Sequence, residues 1–255
     1  WLSEHLRFSD PRLKGQNNGS QDEPPILYYT QGAKEGEEWR YAADLPLDTQ
    51  TQPDLYLTPD GGLTEEDAPA GKMDYTVRND LTLYPGFGKL DRRITADMGE
   101  YEGKSLCFTL PPLEKDLELT GVPVLNLWVT STHTDGNFIA ALDEVLPDGS
   151  SSFITEGAMR ASHAKLSPGT IRDAFGVPYH RGFQADAVQL SPDKPTLLAF
   201  NLEATSRIVK KGSRLRIALS CGGSGYDQPE GFPEEMPTVT VDTRGGRAFA
   251  RVCAG

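Results

Sequence analysis

The sequence has few cysteines and no long hydrophobic run. Its three cysteines, Cys107, Cys221 and Cys253, form no CxxC pair, and their odd number argues against a complete disulfide framework. Cys107 and Cys221 lie in strand-like runs, so we expect free thiols in the core, which slightly favours a cytoplasmic location. There is no signal peptide and no apolar run long enough to span a membrane. The sequence predicts a soluble protein that needs no membrane and leaves its compartment open.

Basic residues are outnumbered by acidic ones. The 25 Lys and Arg residues stand against 37 Asp and Glu residues, which gives a net charge of −12. This balance argues against nucleic acid as a partner, because phosphate contacts need clustered Lys and Arg. Solubility is a sufficient explanation for the negative charge.

The chain also lacks the motifs of common enzyme active sites. The nearest approach to a Gly-x-Ser-x-Gly nucleophile elbow is residues 222–226, where Tyr226 replaces the last glycine and no amphipathic helix follows. There is no HExxH motif, no GxGxxG motif and no P-loop. No histidine pairs with another at the spacing of metal ligands, the four being His5, His133, His163 and His180. We therefore predict no catalytic residue, no metal site and no cofactor in this chain.

Four acidic residues surround the central apolar runs: Asp135, Asp143, Glu144 and Asp148. A calcium site is conceivable here, because Ca²⁺ takes several carboxylate oxygens. Their spacing does not fit an EF-hand loop, and turn formation explains Asp135 and Asp148 without a metal. Both interpretations are open from the sequence.

Strand-like alternation and turn residues are what the sequence has in quantity. The 19 Pro and 26 Gly favour short strands and long loops over helices. Residues 122–130, 138–146 and 153–163 form strand-like runs, and Pro, Asp and Gly at 147–149 reverse the chain between the last two. Residues 214–221 alternate between apolar and charged or small side chains. These patterns predict an all-β protein, either a β-sandwich or a jelly roll.

The two ends of the chain and one internal segment differ from this pattern. Trp1 to Leu13 is predicted as the end of a helix that breaks at Asp10-Pro11, and residues 14–25 are predicted as a linker. We expect residues 1–25 to lead from a missing upstream domain and residues 26–255 to form the sandwich. Residues 63–104 have little periodicity, and a loop of this length is usually functional. The last alternating positions, 239–241 and 248–252, suggest two final strands.

One block of motifs is more specific. Residues 106–121 read LCFTLPPLEKDLELTG, and the pattern continues with DGNF at 135–138, LDEVLPDG at 142–149 and EGAMRA at 156–161. In this order the motifs resemble the C-terminal domain of the X-Pro dipeptidyl-peptidase family, which the cocaine esterase-like (CocE/NonD) hydrolases share. The similarity covers nearly the whole chain. Three positions depart from the family pattern, Leu45 for Trp, Asn137 for Asp and Ser213 for His.

The resemblance implies a jelly-roll β-sandwich of the galactose-binding-domain-like class, with long loops and little helix. In the family this domain packs against an upstream α/β-hydrolase domain that carries a Ser-Asp-His triad, so all catalytic residues would lie outside this chain. The domain covers the active-site cleft, supplies pocket wall and contributes to oligomer contacts. Within residues 75–104, Leu83, Tyr84 and Phe87 are candidates for the pocket wall. The alternative is that they only anchor the loop on the sandwich.

Two other functions stay open. A stand-alone carbohydrate-binding module would stack sugars on exposed aromatic rings, for which Trp39 and Tyr226 are the candidates. Trp128 lies within a strand-like run, so we expect it to pack in the core. A dimerisation module would instead associate through edge strands or an exposed apolar patch.

Overall fold

The computed structural model describes residues 2–47, 50–51, 53–78, 80–81, 98–168, 176–222, 235–249 and 252–253. Strands are the main regular secondary structure of these residues. The helices are α1 (Leu2–Lys14) and α2 (Gly99–Glu102), with short 3-10 turns at Ala161–His163 and Gln184–Asp186. The strands are β1 (Ile26–Tyr29), β2 (Trp39–Ala42), β3 (Gln50–Thr51), β4 (Asp54–Leu57), β5 (Leu63–Thr64), β6 (Lys72–Thr76), β7 (Leu106–Thr109), β8 (Leu117–Gly121), β9 (Val124–Ser131), β10 (Asn137–Val145), β11 (Ser151–Arg160), β12 (Thr196–Asn201), β13 (Thr205–Val209), β14 (Arg214–Ser220), β15 (Thr238–Phe249) and β16 (Val252–Cys253).

The strands form three sheets and a separate hairpin, and all these pairings are antiparallel. The central sheet has the order β11-β10-β14-β7. The large sheet has the order β12-β9-β15-β4-β5, with β6 also paired to β15. The side sheet has the order β13-β8-β16-β3, and β1 and β2 form the hairpin. This arrangement confirms the predicted all-β sandwich.

The main core lies between the central and large sheets. Because alternate residues of a strand point to opposite faces, each strand contributes every second side chain to this core. From the central sheet these include Phe138, Ala140, Leu142, Leu215, Ile217 and Leu219, and from the large sheet Leu125, Leu127, Val129, Leu198, Val239 and Val241. The alternation seen in residues 214–221 is therefore the pattern of a strand whose odd positions face the core.

A second, smaller core covers the other face of the central sheet. It contains Ile139 and Ala141 of β10 and Ala218 of β14, packed against Leu81, Met98 and Tyr101. Strand β10 is consequently buried on both faces along its whole length. This explains why residues 138–146 are an almost continuous apolar run, whereas strands with one exposed face alternate.

The predicted break of the first helix at Asp10-Pro11 is wrong, because α1 continues through Pro11 to Lys14. A proline at this position cannot donate a hydrogen bond to the carbonyl of Arg7. Asn18 Nδ2 and Ser20 Oγ donate to that carbonyl instead, at 2.8 and 3.2 Å. The chain after the helix thus replaces the missing backbone hydrogen bond.

Three other expectations need correction. The segment 63–104 contains a regular strand, β6, which pairs with β15 from Thr238 to Asp242. The two predicted final strands are one long strand, β15, whose register shifts between Asp242 and Arg247, followed by the short β16. Cys107 is half-buried, although Cys221 is fully buried as expected, and neither forms a disulfide with another described cysteine.

Candidate functional site

The hairpin of β1 and β2 presents an apolar face to solvent. Leu27 lies opposite Tyr41, and Tyr29 lies opposite Trp39, so period-two alternation places all four side chains on one side. The exposed fractions are 41% for Leu27, 46% for Tyr29, 64% for Trp39 and 49% for Tyr41. We call these four residues the outer face of the hairpin. A contiguous apolar surface of this kind on a soluble protein marks an interaction site.

Two aromatic rings at the centre of this face contact each other edge to face. The ring centroids of Tyr29 and Trp39 are 5.1 Å apart, with an angle of 68° between the ring planes. This geometry is one that aromatic pairs prefer, because the positive edge of one ring meets the negative face of the other. The two rings therefore form a preorganised contact surface.

The opposite face of the hairpin is fastened to the side sheet. Arg40 Nη1 donates to both carboxylate oxygens of Glu118 on β8 at 2.8 Å. The Glu118 carboxylate raises the pKa of Arg40 against the opposing effect of burial, so the guanidinium stays charged. Gln31 donates its backbone N–H to Ser206 O at 2.9 Å and accepts from Ile208 N at 2.8 Å. These contacts hold the outer face in a defined position.

Helix α1 carries a second exposed apolar surface. Leu2, Leu6 and Leu13 lie within roughly 40° of one another around the helix axis, and their exposed fractions are 73%, 47% and 82%. Phe8 lies on another side, beneath the Arg12 guanidinium at 3.7 Å from the ring centroid. Among the described residues of α1, only Pro11 is buried. An amphipathic helix normally buries its apolar stripe, so this stripe is also a candidate contact surface.

A groove of about 860 Å³ opens at one end of the sandwich. Half-buried Leu110, Leu113 and Leu117 line it, together with the exposed Pro111 and Pro112. This is the PPLEKDLEL part of the motif on which the family resemblance depends. The motif thus forms a wall at the open end of the core.

The four acidic residues of the central runs have separate roles and do not converge on a cation. Asp135 accepts hydrogen bonds from the N–H groups of Gly136 and Ser162 at 2.9 and 2.8 Å, and pairs with Arg160. Asp148 accepts from the N–H of Ser150 at 2.9 Å. The turn-forming interpretation of these two residues is therefore confirmed. Across the described ranges, no three His, Cys, Asp or Glu side chains are grouped to hold a metal ion.

The structure places only some of the predicted site residues. Trp39 is the most exposed residue of the outer face, as a binding residue should be. Leu83, Tyr84, Phe87 and Tyr226 lie outside the described residues. Trp128 does not point into the main core: it lies half-buried on the face of β9 opposite to Leu127 and Val129.

Sequence reasoning missed Leu27, Tyr29 and Tyr41 as surface residues. The segment ILYY is apolar at every position, so periodicity does not say which of its faces is buried. In WRYA, Arg40 separates Trp39 from Tyr41, but the half-buried face is the one with the charged Arg40. The antiparallel register of the hairpin decides it, because the register unites alternate residues of both strands. Had the two segments been paired as a hairpin in the sequence analysis, Leu27, Tyr29, Trp39 and Tyr41 would have been placed on one face.

In the described part of the chain, no helix has the length and apolar character needed to cross a bilayer.

Comparison with known proteins relates the chain to a family of hydrolases. A Mycobacterium bovis protein named as a serine esterase is 35% identical over 250 residues, which are 93% of this chain and 38% of that protein. The cocaine esterase of a Rhodococcus species is 27% identical over 236 residues, which are 85% of this chain and 37% of the esterase. This chain therefore spans less than half the length of these relatives.

Solved structures show the same fold at lower sequence identity. A CocE/NonD family hydrolase from Staphylococcus aureus matches with a TM-score of 0.73 and 18% identity, over 98% of this chain and 45% of the hydrolase. An aminopeptidase from a Thaumarchaeota archaeon matches with a TM-score of 0.74 and 19% identity, over 97% of this chain and 43% of the aminopeptidase. The family model for the X-Pro dipeptidyl-peptidase C-terminal non-catalytic domain matches residues 18–245. The chain therefore belongs to the family of X-Pro dipeptidyl-peptidase C-terminal non-catalytic domains.

Proposed function

We propose that this chain is the accessory domain of a larger serine hydrolase of the X-Pro dipeptidyl-peptidase or CocE-type esterase kind. In this proposal the upstream α/β-hydrolase domain carries the catalytic triad, and the sandwich packs against it and covers the active-site cleft. The observation that carries the proposal is the outer face of the hairpin, which is apolar, exposed and held rigidly by the Arg40–Glu118 pair.

The relatives support this assignment. One is named as a serine esterase and another as a cocaine esterase, and this chain matches 38% and 37% of their lengths. Most of each relative therefore lies outside the matched region and has room for a separate catalytic domain. Interfaces between domains of one chain commonly bury about 600–1,500 Å² in total. The outer face of the hairpin and the leucine stripe of α1 would supply part of this area.

A non-catalytic domain in this position has a physical role in the reaction. Acyl transfer through a serine depends on a base and an oxyanion hole, and both work better where water is excluded. A rigid sandwich over the cleft excludes water and limits the size of the substrate that can enter. The predicted wall residues Leu83, Tyr84 and Phe87 would contribute to this limit, and they stay a prediction.

The first test is the activity of the 255-residue chain by itself. The purified chain is incubated with p-nitrophenyl esters, with Ala-Pro-p-nitroanilide and with a fluorophosphonate label. We expect neither turnover nor label. Stoichiometric labelling of a serine with turnover would overturn the accessory role, as would a coding sequence with no hydrolase domain in frame upstream.

The second test addresses the docking surface in the full-length protein. Trp39→Ser together with Tyr41→Ser should loosen the contact between domains, seen as faster proteolysis between them and a changed KM for large esters. The matched control is Leu166→Ser, because Leu166 is 47% exposed and belongs to neither the outer face nor the stripe on α1. In the isolated chain the control should change the free energy of unfolding by less than about 0.5 kcal/mol. The double variant should cost about 1–2 kcal/mol, because it removes the Tyr29–Trp39 contact and two cross-strand pairs. Equal proteolysis of variant and control would contradict docking through the hairpin.

The exposure of Trp39 also favours a second candidate function. A ring that is 64% exposed beside Tyr29 is suited to stacking on a sugar. Binding on a glycan array that is lost in Trp39→Ala would support a carbohydrate-binding module.

A dimerisation module would instead form dimers through this face. Light scattering measures this self-association, and Trp39→Ala should then disrupt the dimers.

A further inference from the structure

The one-turn helix α2 is attached to the central sheet by buried polar contacts. The Tyr101 hydroxyl lies 2.8 Å from Ser220 Oγ on β14, and the N–H of Met98 donates to Ser151 O on β11 at 3.0 Å. Met98 and Tyr101 are each 5% exposed and belong to the smaller core. The helix itself contributes little, since a single turn is not stable in isolation. Its position therefore depends on these contacts.

Glu102 at the end of α2 is the main ionic attachment. Its carboxylate accepts a hydrogen bond from Arg216 Nη1 at 2.5 Å and another from Ser151 Oγ. Arg216 also donates from Nε to Thr109 Oγ1 at 2.9 Å, so its guanidinium is directed toward β7 and α2. The Glu102 side chain is 5% exposed, so this ion pair is shielded from solvent.

Asp143 of β10 lies beneath this pair and is completely buried. It is directly opposite Arg216 in the register of β10 and β14, but Arg216 turns away to Glu102 and Thr109. Neither carboxyl oxygen of Asp143 accepts a hydrogen bond from a donor among the described residues. The Glu102 carboxylate, which binds the Arg216 guanidinium opposite Asp143, raises the pKa of the Asp143 carboxyl group by its charge and as an acceptor for the protonated form.

The other nearby arginine is committed elsewhere. Arg207 of β13 pairs with Glu144 at 2.6 Å and donates to Phe153 O at 3.2 Å. Glu102, Asp143 and Glu144 thus share two guanidinium groups, Arg207 and Arg216. Within the described part of the chain, this cluster has one carboxyl group more than it has guanidinium groups, and Asp143 forms no ion pair there.

Two adjacent buried carboxyl groups cannot both be ionised at low cost. Burial raises the pKa of Asp143 well above its usual range, the Glu102 carboxylate raises it further, and Arg216 and Arg207 oppose the shift without cancelling it. Among the described residues, Tyr101 and Cys107 are the other ionisable groups coupled electrostatically to Asp143. Burial raises the pKa of Tyr101 too, and that of Cys107 to about 12, so both are neutral.

We propose that Asp143 and Glu102 share one proton which holds α2 against the central sheet, and that loss of this proton as the pH rises releases α2. The protonated Asp143 donates its O–H to the Glu102 carboxylate. Deprotonation replaces this hydrogen bond by repulsion between two carboxylates in a buried site. The folded state binds the proton more tightly than the unfolded chain, so the contribution of the pair to stability is complete at acidic pH and disappears as the pH rises.

The test is hydrogen exchange at the amides that α2 protects. The N–H groups of Glu102 and Gly103 donate to Met98 O and Gly99 O at 2.9 Å each. After correction for the intrinsic pH dependence, their protection should fall by at least about tenfold between pH 6 and pH 9, while amides of β14 change less. In Asp143→Asn, whose side-chain amide mimics the protonated acid, the fall should be less than about twofold.

Glu100→Gln is the matched control, because Glu100 is on the same helix with a side chain 87% exposed and should behave as wild type. Equal pH profiles in wild type and Asp143→Asn would overturn the proposal. If Asp143→Asn does not fold, the ionisation of Asp143 is followed directly in the wild-type chain through its side-chain ¹³C carboxyl resonance. Titration well above the ordinary Asp value of roughly 3.9 supports the shared proton, and titration near that value overturns it.

Discussion

Gly157 on β11 packs directly against the carbonyl group of Asn201 on β12, with no space for a side chain between them. A β-carbon at position 157 would overlap with that carbonyl oxygen and lie 2.8 Å from the Cα of Leu202. The same region is joined by the N–H of Glu203, which donates to Glu156 O at 2.7 Å. The central and large sheets thus meet backbone to backbone at this edge of the sandwich.

Gly157→Ala should therefore destabilise the domain. Overpacking at a backbone contact that cannot relax costs about 1–3 kcal/mol or more, which urea unfolding of the purified chain would measure. The control is Gly136→Ala, where the new methyl group would meet only the Phe138 ring at 3.9 Å. Equal urea midpoints of unfolding for the two variants would contradict this prediction and show that β11 and β12 separate easily.

Arg40→Ala should loosen the hairpin without unfolding the sandwich. The substitution removes both 2.8 Å hydrogen bonds to Glu118 and leaves that half-buried carboxylate without its cation. We expect a loss of about 1–2 kcal/mol and faster hydrogen exchange in β1 and β2. Lys34→Ala is a suitable control, because the Lys34–Glu37 pair is mostly exposed with its atoms 3.7 Å apart. The idea fails if hairpin exchange is unchanged in Arg40→Ala.

Asp135 should stabilise the fold only above acidic pH. Burial alone would raise its pKa, but the hydrogen bonds from Arg160, Gly136 and Ser162 outweigh burial and lower it. A lowered pKa means that the contribution is present above the unfolded value of about 3.9 and is lost as the pH falls below it. Asp135→Asn should then cost about 1–3 kcal/mol at pH 7 and much less near pH 2. Thermal unfolding at several pH values measures this, and a constant difference would be inconsistent with it.

Glu156 should have the opposite pH dependence. Burial first, and the neighbouring Glu203 second, raise its pKa to about 7. Its contribution is complete below the unfolded value and is lost as the pH rises through about 7, because the folded state then carries a buried charge. Relative to wild type, Glu156→Gln should gain about 1–3 kcal/mol between pH 5 and pH 9. Parallel stability curves for the two proteins would rule this out.

Much of the fold could be predicted from the sequence where one physical rule acts locally. Period-two alternation located β7 and β14, and the turn residues 147–149 located the connection between β10 and β11. Strand β13 was not recognised, because all but the last of its residues are half-buried and its pattern has no contrast between faces. The predicted end of helix α1 was too early. Proline cannot donate to the carbonyl of Arg7, and the donors that replace it come from residues 18 and 20, beyond the helix.

The functional surfaces depended more heavily on tertiary structure. Trp39 could be selected from the sequence as an exposed aromatic candidate, but its union with Leu27, Tyr29 and Tyr41 required the register of the hairpin. The acidic residues of the central runs looked like one cluster in the sequence. In the structure Asp135 and Asp148 organise turns at opposite ends of β10, whereas Asp143 is buried against Glu102, a residue 41 positions earlier in the chain.

By itself, then, the sequence determined the all-β class, the absence of familiar catalytic motifs and the membership suggested by residues 106–161, because these depend on residue types and their spacing. Only the tertiary structure decided which apolar side chains are left at the surface and which carboxyl group lacks a cation. Both depend on distances between residues far apart in the chain. Burial and charge pairing are set when the sheets pack, and no local pattern encodes them.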